Sequence, residues 1–337
     1  MFVDRENITS SINVKRNFPI NIKEEEKYLF INEIRRSFDG SYKIDEKNCW
    51  IFGQNIFSIK KVSLFKNETF FGYPSLKKII KETTKNLLKI RKFKKISSGV
   101  WITDNKSNIY FHWFCDVLQK IVLIENLENK KLLIPEKFLK DQFIVETLRL
   151  LNVNFLTIDQ NTLYFVKDLT IMGETAPTGN YNPEILKSLQ QKFFDLNLGE
   201  TDSSKENKYW ILRDNDKRQI ENSDEIYKIL KSYGFDFIYF EKLSILDKIK
   251  ILNNTSYLGG IFGSGLTNML FLKNGANLIE IRNENDDMNN AFFSMASALD
   301  LNYFYFISKF EGNKKIKIFL DPKKFDIFLA NIGLVKS

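Results

Sequence analysis

A chain of 337 residues that is 43% hydrophobic and 14% aromatic, with 31 phenylalanines, is too apolar for disorder at 27% charged residues and long enough for two cores. Fifty Lys and Arg against 42 Asp and Glu leave a formal charge of +8, which suits an anionic partner without separating nucleic acid, a membrane surface and a phosphorylated substrate. Two cysteines, Cys49 and Cys115, and a single histidine, His112, argue against a disulfide framework and bring a structural zinc site close to exclusion.

No apolar run approaches the ~18–20 residues that span a bilayer, and the opening "MFVDRENITSSINVKRNF" has no apolar core resembling a signal peptide, so the expected compartment is the cytoplasm. The first hundred residues mix short strand-like runs, such as "CWIFGQNIFSI" (49–59), with a lysine-rich helical stretch at 76–95. Lysines spread among acids in stretches such as "KIRKFKKISSG" and "IKEEEKYLF" read as a solvated surface; an amphipathic membrane-contact face around Lys85–Lys95 is the alternative.

From residue 98 the pattern becomes regular. "GVWITD" reads as a strand, "SNIYFHWFCDVLQKIVLIENL" as a long helix, "KLLIP" as a strand, "EKFLKDQFIVETLRLLN" as a helix, and "NFLTID" with "TLYFVKDLTIMG" as strands. A helix opens at Pro183 and decays into a polar stretch, which sets the expected domain boundary near 197–207. Alternation then restarts with "YWILR" (209–213), helix 222–233, "FIYF" (237–240), helix 244–253, "SYLGGIF", "NLIEI" (277–281), helix 289–299 and "NYFYFIS". Two such α/β series predict two Rossmann-like lobes facing each other across a cleft. The expected division is an N-terminal domain at 1–200, a C-terminal one at 205–310, and a strand and helix at 311–337 that return to the first domain.

The segment "GGIFGSGLTN" (259–268) concentrates four of the chain's 15 glycines. Gly263 and Gly265 fit a dinucleotide fingerprint whose third glycine is replaced by Asn268; Gly260, Gly265 and Thr267 fit a P-loop whose lysine is replaced by Leu266. What both templates share is a strand, a turn tolerant of positive φ, and a helix whose first N–H groups attract phosphate. Ser264 is the expected cap. The alternative is a tight turn where helix and strand pack closely. Upstream, in "ILRDNDKRQIEN", Arg213 ends a predicted strand and Arg218 precedes a helix capped by Asn222 or Ser223. Ligands collect outside the carboxyl ends of parallel strands, so Arg213 and the glycine turn are expected on one rim, where a guanidinium forks onto phosphate unless a neighbouring Asp claims it.

Taken in order, "SNIYFHWFCDVLQKIVLIENL", "RDNDKRQIEN" and "GSGLTNMLFLKNGANLIEI" resemble glycosyltransferase family 61 over roughly residues 98–285. The resemblance implies a GT-B fold with the nucleotide-sugar donor, a UDP-sugar above all, on the C-terminal lobe, and inverting transfer with no cofactor and no metal. It implies that Arg213 and Arg218 are the family's paired arginines and that Gly263, Ser264, Gly265, Leu266, Thr267 and Asn268 form its "HGAGLTN" donor loop, with Phe262 in place of the histidine. Glu280, which matches the acid of the following strand, is expected on ribose hydroxyls or else paired with Arg282. His112 and Asp116, at i and i+4, would share a helix face in the opposite lobe as the base that receives the acceptor's proton, or serve only in helix packing.

The expected partners are a nucleotide-sugar donor and a glycan or lipid-linked acceptor, in capsule or lipopolysaccharide synthesis, with peripheral contact to an anionic membrane at the inner face. No nucleic acid is expected, because the aromatics follow core periodicity rather than interleaving with basic residues. Two rivals stay open: a metal-dependent GT-A enzyme using Asp214 and Asp216 of "DND", and a sugar-nucleotide or glycan-binding module without catalysis.

Overall fold

The computed structural model of the protein describes residues 5–58, 60, 63–69, 75–196, 207–213, 217–312 and 315–336. It is a mixed α/β chain that divides into two compact units, Met1–Ile12 with Ser37–Leu189 and Asn13–Arg36 with Gln190–Ser337.

The first unit is built on a mixed sheet. Its central strand, Thr162–Met172, pairs antiparallel with Tyr42–Phe52 and parallel with Lys92–Trp101. The parallel side continues through Leu132–Pro135 and Phe155–Ile158, and the antiparallel side through the hairpin partner Asn55–Ser58. The strand-containing N-terminal segment, expected as an extension of a Rossmann-like lobe, thus enters the same sheet as the α/β series and makes that sheet mixed. Alternation buries Tyr164 and Val166 with Ile44, Ile51 and Trp101.

The expected long helix at 107–127 is shorter and unevenly wound: an α-turn at Tyr110–His112, a π-turn at Trp113–Val117 and a 3₁₀ stretch at Leu118–Leu123. Trp113, Phe114, Cys115, Val117, Leu118 and Ile121 are all buried, so no single α-helical stripe accommodates them. The indole of Trp113 donates to Thr147 Oγ1 at 2.8 Å, satisfying the one polar atom it takes into the core.

The second unit carries a five-stranded parallel sheet in the spatial order Phe235–Ile238, Asn207–Ile211, Thr255–Ile261, Asn277–Asn283, Asn302–Ser308. Numbered along this unit the order is 2-1-3-4-5, a doubly wound pattern in which the direction of winding, not of the strands, reverses between the first and third strands. Helices Ser223–Ser232, Ile245–Leu252 and Ala291–Ala298 lie between the strands as the apolar periodicity implies. Ser244 caps the second of them through Asp247 N at 3.1 Å. Asn222 does not cap the first with its side chain; its amide instead brackets Leu320, donating to the carbonyl at 2.8 Å and accepting from the N–H at 3.2 Å.

Two segments depart from the expected division. Residues 13–36 belong to the second unit: Ile20 N donates to Tyr303 O at 3.1 Å, the Asn21 amide accepts from Tyr305 N at 3.1 Å and donates to Tyr305 O at 2.8 Å, and Phe30 packs 5.0 Å from Phe293. This strap covers the exposed edge of Asn302–Ser308, which would otherwise present unpaired backbone groups. Residues 311–337 also stay with the second unit rather than returning to the first, because Phe325 and Leu329 of helix Pro322–Asn331 join Trp210, Leu230 and Phe304 in its core. The boundary at 189/190 falls inside helix Pro183–Phe194, upstream of the polar stretch chosen from composition; residues 197–206 of that stretch lie outside the described residues.

Candidate functional site

In the second unit, the crevice at the carboxyl ends of Asn207–Ile211 and Thr255–Ile261 is the point where the sheet's winding reverses. Connections leave these neighbouring strands in opposite directions, which opens a crevice between them. Arg213 follows the first strand and Gly263 the third. Arg213 Nη2 donates to the carbonyls of Ile261 and Phe262, both at 3.3 Å, and Arg218 Nη1 donates to the Phe262 carbonyl at 2.6 Å.

The four glycines of 259–268 divide between two tasks. A Cβ on Gly259 would lie 2.5 Å from the Trp210 ring, and one on Gly265 would lie 3.2 Å from Ile211, so these positions serve close packing. Gly263 is different. Its φ of 144° and ψ of 176° belong to a region that only glycine occupies at low cost, and a Cβ there would sit 2.2 Å from Arg213 Nη2 and 2.5 Å from Arg218 Nη1. The backbone therefore comes close to two cations. Burial, and next the neighbouring charge of Arg218, lower the Arg213 guanidinium to about 10, while burial lowers Arg218. Their carboxylate neighbours Asp214 and Asp216, the pair a GT-A reading needs, lie outside the described residues, as does Asn215. Among the described residues no group of three His, Cys, Asp or Glu side chains is placed to hold a metal.

A cavity of about 430 Å³ adjoins the arginines, with Ile261, Tyr227, Glu221 and Lys317 on its walls. Phe262, where the family resemblance expects histidine, places its ring 5.3 Å from the Arg218 guanidinium carbon and edge-on to Phe292 at 5.4 Å. Its ring backs a cation instead of lying wholly in core.

Several expectations need correction. Gly263 itself occupies the N-cap position of the 3₁₀ helix Ser264–Phe271; Ser264 is the first helical residue and is exposed. The side chains of Leu266, Thr267 and Asn268 are buried and do not face a ligand in solvent. Asn268 Nδ2 instead donates to Gly265 O at 2.7 Å and pins the turn from behind. Glu280 is also fully buried, so it does not reach a ribose: the Tyr303 hydroxyl donates to its Oε2 at 2.5 Å, and Arg282 Nη1 lies 3.9 Å away. Burial pushes its carboxyl up to about 7, against the Arg282 charge and the Tyr303 hydrogen bond, which both favour the ionised form.

In the first unit, His112 Nδ1 and Asp116 Oδ2 are 2.6 Å apart, across the junction of the α- and π-turns. Thr178 Oγ1 donates to the same carboxylate oxygen at 3.3 Å. Asp116 shares a small pocket with Asp104, Glu174, Glu68 and Lys120. Burial raises the Asp116 carboxyl, opposed by the His112 hydrogen bond; burial likewise raises Glu174 and lowers the Lys120 amine. Lys120 Nζ donates to Ile102 O at 3.0 Å and brings a cation to the lining of this acidic pocket. Sequence reasoning missed Lys120, although its position four residues beyond Asp116 was a usable signal. Glu174, Glu68 and Thr178 arrive from distant elements and left no such trace.

A family model described as Glycosyltransferase 61 matches residues 110–279, half of the chain, from the His112 turn through the glycine turn to the fourth strand of the parallel sheet. The chain is also 35% identical over 83 residues to the EGF domain-specific O-linked N-acetylglucosamine transferase of Mus musculus, covering 23% of this chain and 16% of that protein. The Drosophila melanogaster protein of the same name is 34% identical over 80 residues, covering 23% and 15%. The match thus spans about one-sixth of the length of these relatives. With half of its length matched, in segments that hold both residue clusters, the chain belongs to glycosyltransferase family 61.

Proposed function

We propose that the chain is an inverting, metal-independent glycosyltransferase that moves a sugar from a nucleoside diphosphate, a UDP-sugar before others, to a hydroxyl of a glycan or lipid-linked acceptor. The observation that carries this reading is the convergence of Arg213 and Arg218 on the glycine turn at the sheet's reversal point. Two guanidinium groups suit the two phosphates of a leaving diphosphate, and the N–H groups at the start of Ser264–Phe271 suit their remaining oxygens. As the anomeric C–O bond breaks, negative charge grows on the diphosphate, and preorganised cations lower that barrier without a metal.

The acceptor hydroxyl then attacks the opposite face of the anomeric carbon and its proton passes to the His112–Asp116 pair. Burial, by raising the proton affinity of Asp116, brings this pair closer to what a general base needs near neutral pH. In this reading the fold is GT-B, with the donor on the second unit and the acceptor side on the first. The names of the matched relatives make N-acetylglucosamine the first sugar to try on the proposed UDP donor. Surface polysaccharide synthesis, capsule or lipopolysaccharide, at the cytoplasmic face of a membrane is the setting that suits a lipid-linked acceptor.

The test is a panel of UDP-, GDP- and TDP-sugars incubated with the purified chain, with and without EDTA, followed by the release of free nucleotide and by mass spectrometry of added acceptors. The reading expects release from one donor class that survives EDTA and is lost in Arg213→Ala. Activity abolished by EDTA and restored by Mn²⁺ would return the metal-dependent alternative through Asp214 and Asp216. Tight donor binding with neither transfer nor hydrolysis would leave a binding module.

A further inference from the structure

The chain's positive excess is not spread over its surface. Residues 76–95, "LKKIIKETTKNLLKIRKFKK", hold nine Lys and Arg and one acid, a net of +8 that equals the charge of the whole chain. The rest of the protein is balanced. The solvated-surface reading of these lysines is therefore incomplete.

Structure adds what the count lacks. The helix Leu76–Leu87 is held to the first unit on one side, where Thr83 Oγ1 donates to Asn55 Oδ1 at 3.2 Å and Asn86 stands against the Gly53 turn. Away from those anchors, Ile80 is 57% exposed, Leu87 48%, Leu88 72% and Phe93 51%. Lys85, Arg91, Lys92, Lys94 and Lys95 are exposed in the same short stretch. Arg91 Nη1 donates to the carbonyls of Leu88 and Ile90, which fixes the turn that joins helix to strand. On the strand that follows, Phe93 lies 5.8 Å from Trp50, which lies 5.2 Å from Phe165, so a half-buried aromatic row continues from the basic segment across one face of the sheet.

We propose that this face, residues 80–95 with the Trp50 row, is a peripheral docking surface for an anionic lipid bilayer. Basic side chains alone would fit any polyanion, but nucleic acid offers no gain for exposing four large apolar side chains. A bilayer offers both: negative headgroups for Lys85, Lys92 and Lys95, and an apolar boundary for Leu87, Leu88 and Phe93. Tryptophan and phenylalanine beside lysine are the residues that settle at such a boundary, with apolar bodies inward and charged heads in water. The surface lies wholly in the first unit and does not depend on the proposed donor chemistry.

The test is sedimentation of the full chain with vesicles of neutral phosphatidylcholine and with vesicles containing one-third phosphatidylglycerol. Binding is expected to the anionic vesicles only, weakened roughly 100-fold or more by Lys85→Glu/Lys92→Glu/Lys95→Glu, since each basic group near the surface contributes roughly a fivefold factor. Leu87→Ser/Leu88→Ser is expected to lower the binding that survives high salt. Unchanged far-UV circular dichroism and melting temperature show that each variant folds. Binding to anionic vesicles that neither variant alters overturns the proposal. So does binding to heparin or RNA without binding to vesicles, which would make the patch a polyanion site.

Discussion

Arg213 and Arg218 share one acceptor: both guanidinium groups donate to the carbonyl oxygen of Phe262, at 3.3 and 2.6 Å. Like charges converge on a single neutral oxygen, beside a glycine whose missing side chain lets them approach. Arg213 is held below its ordinary value by burial and by Arg218, so bringing these charges together has an electrostatic cost. An anion bound between them would remove that cost, which supports the diphosphate-binding role proposed for the pair.

If so, Arg213→Ala lowers turnover far more than Lys217→Ala. Loss of one charge-assisted contact corresponds to roughly 10- to 100-fold in donor affinity or kcat/KM, whereas an exposed lysine changes either by less than about twofold. Steady-state kinetics of donor hydrolysis decides. Equal and mild effects of the two substitutions remove the diphosphate role.

Gly263→Ala separates a packing turn from a working one. The added methyl collides with both guanidinium groups, and the φ of 144° strains any other residue by about 1–3 kcal/mol. We expect a folded variant, a few degrees less stable, whose melting temperature no longer rises with UDP. A full UDP response in Gly263→Ala would mean that the arginines do not touch the nucleotide.

Glu280 offers a pH test of the second unit. Its carboxyl is raised from 4.5 to about 7 in the fold, so the folded state binds that proton more tightly than the unfolded chain does. This group's contribution is full below about pH 4.5 and is lost as pH rises through about 7, at most on the order of 3 kcal/mol. Glu280→Gln should flatten the decline in stability between pH 5 and pH 8 while leaving donor affinity within about twofold, because the side chain is fully buried. A large loss of UDP affinity with unchanged stability would restore the ribose contact expected from sequence.

For the His112–Asp116 pair, Asp116→Asn keeps the shape and removes the base. Transfer should fall about 100-fold or more, as removal of a general base commonly does, with UDP affinity unchanged. If Asp116 is the base, its burial should place the acidic limb of the wild-type kcat/KM profile above the usual aspartate range. A profile that falls within the ordinary aspartate range, or an active Asn variant, would confine the pair to helix packing.

Local sequence pattern carried the second unit well. The five parallel strands between 207 and 308 and the helices Ser223–Ser232, Ile245–Leu252 and Ala291–Ala298 follow from alternation and apolar periodicity, and the approach of Arg213 to the glycine turn follows from where parallel strands end. The misses have a common cause, which is that distant residues decide them. Asn21 imitates a backbone strand against Tyr305, a pairing that leaves no periodic trace in residues 13–36. The helix at 110–123 is wound unevenly because its surroundings bury several faces at once, which no single-period reading anticipates. Glu280 ends in the interior because Tyr303 and Arg282 receive it, and neither partner is evident from position 280 alone.

Calorimetric titration of UDP, UMP and uridine into the wild-type chain and Arg213→Ala, in the presence of EDTA, tests the central claim most directly. Recognition of a diphosphate by two arginines and a helix start predicts UDP binding well ahead of UMP, undetectable uridine, and a loss of roughly 10- to 100-fold for UDP in the variant. Uridine binding as tightly as UDP, or equal UDP affinity in the two proteins, would contradict it.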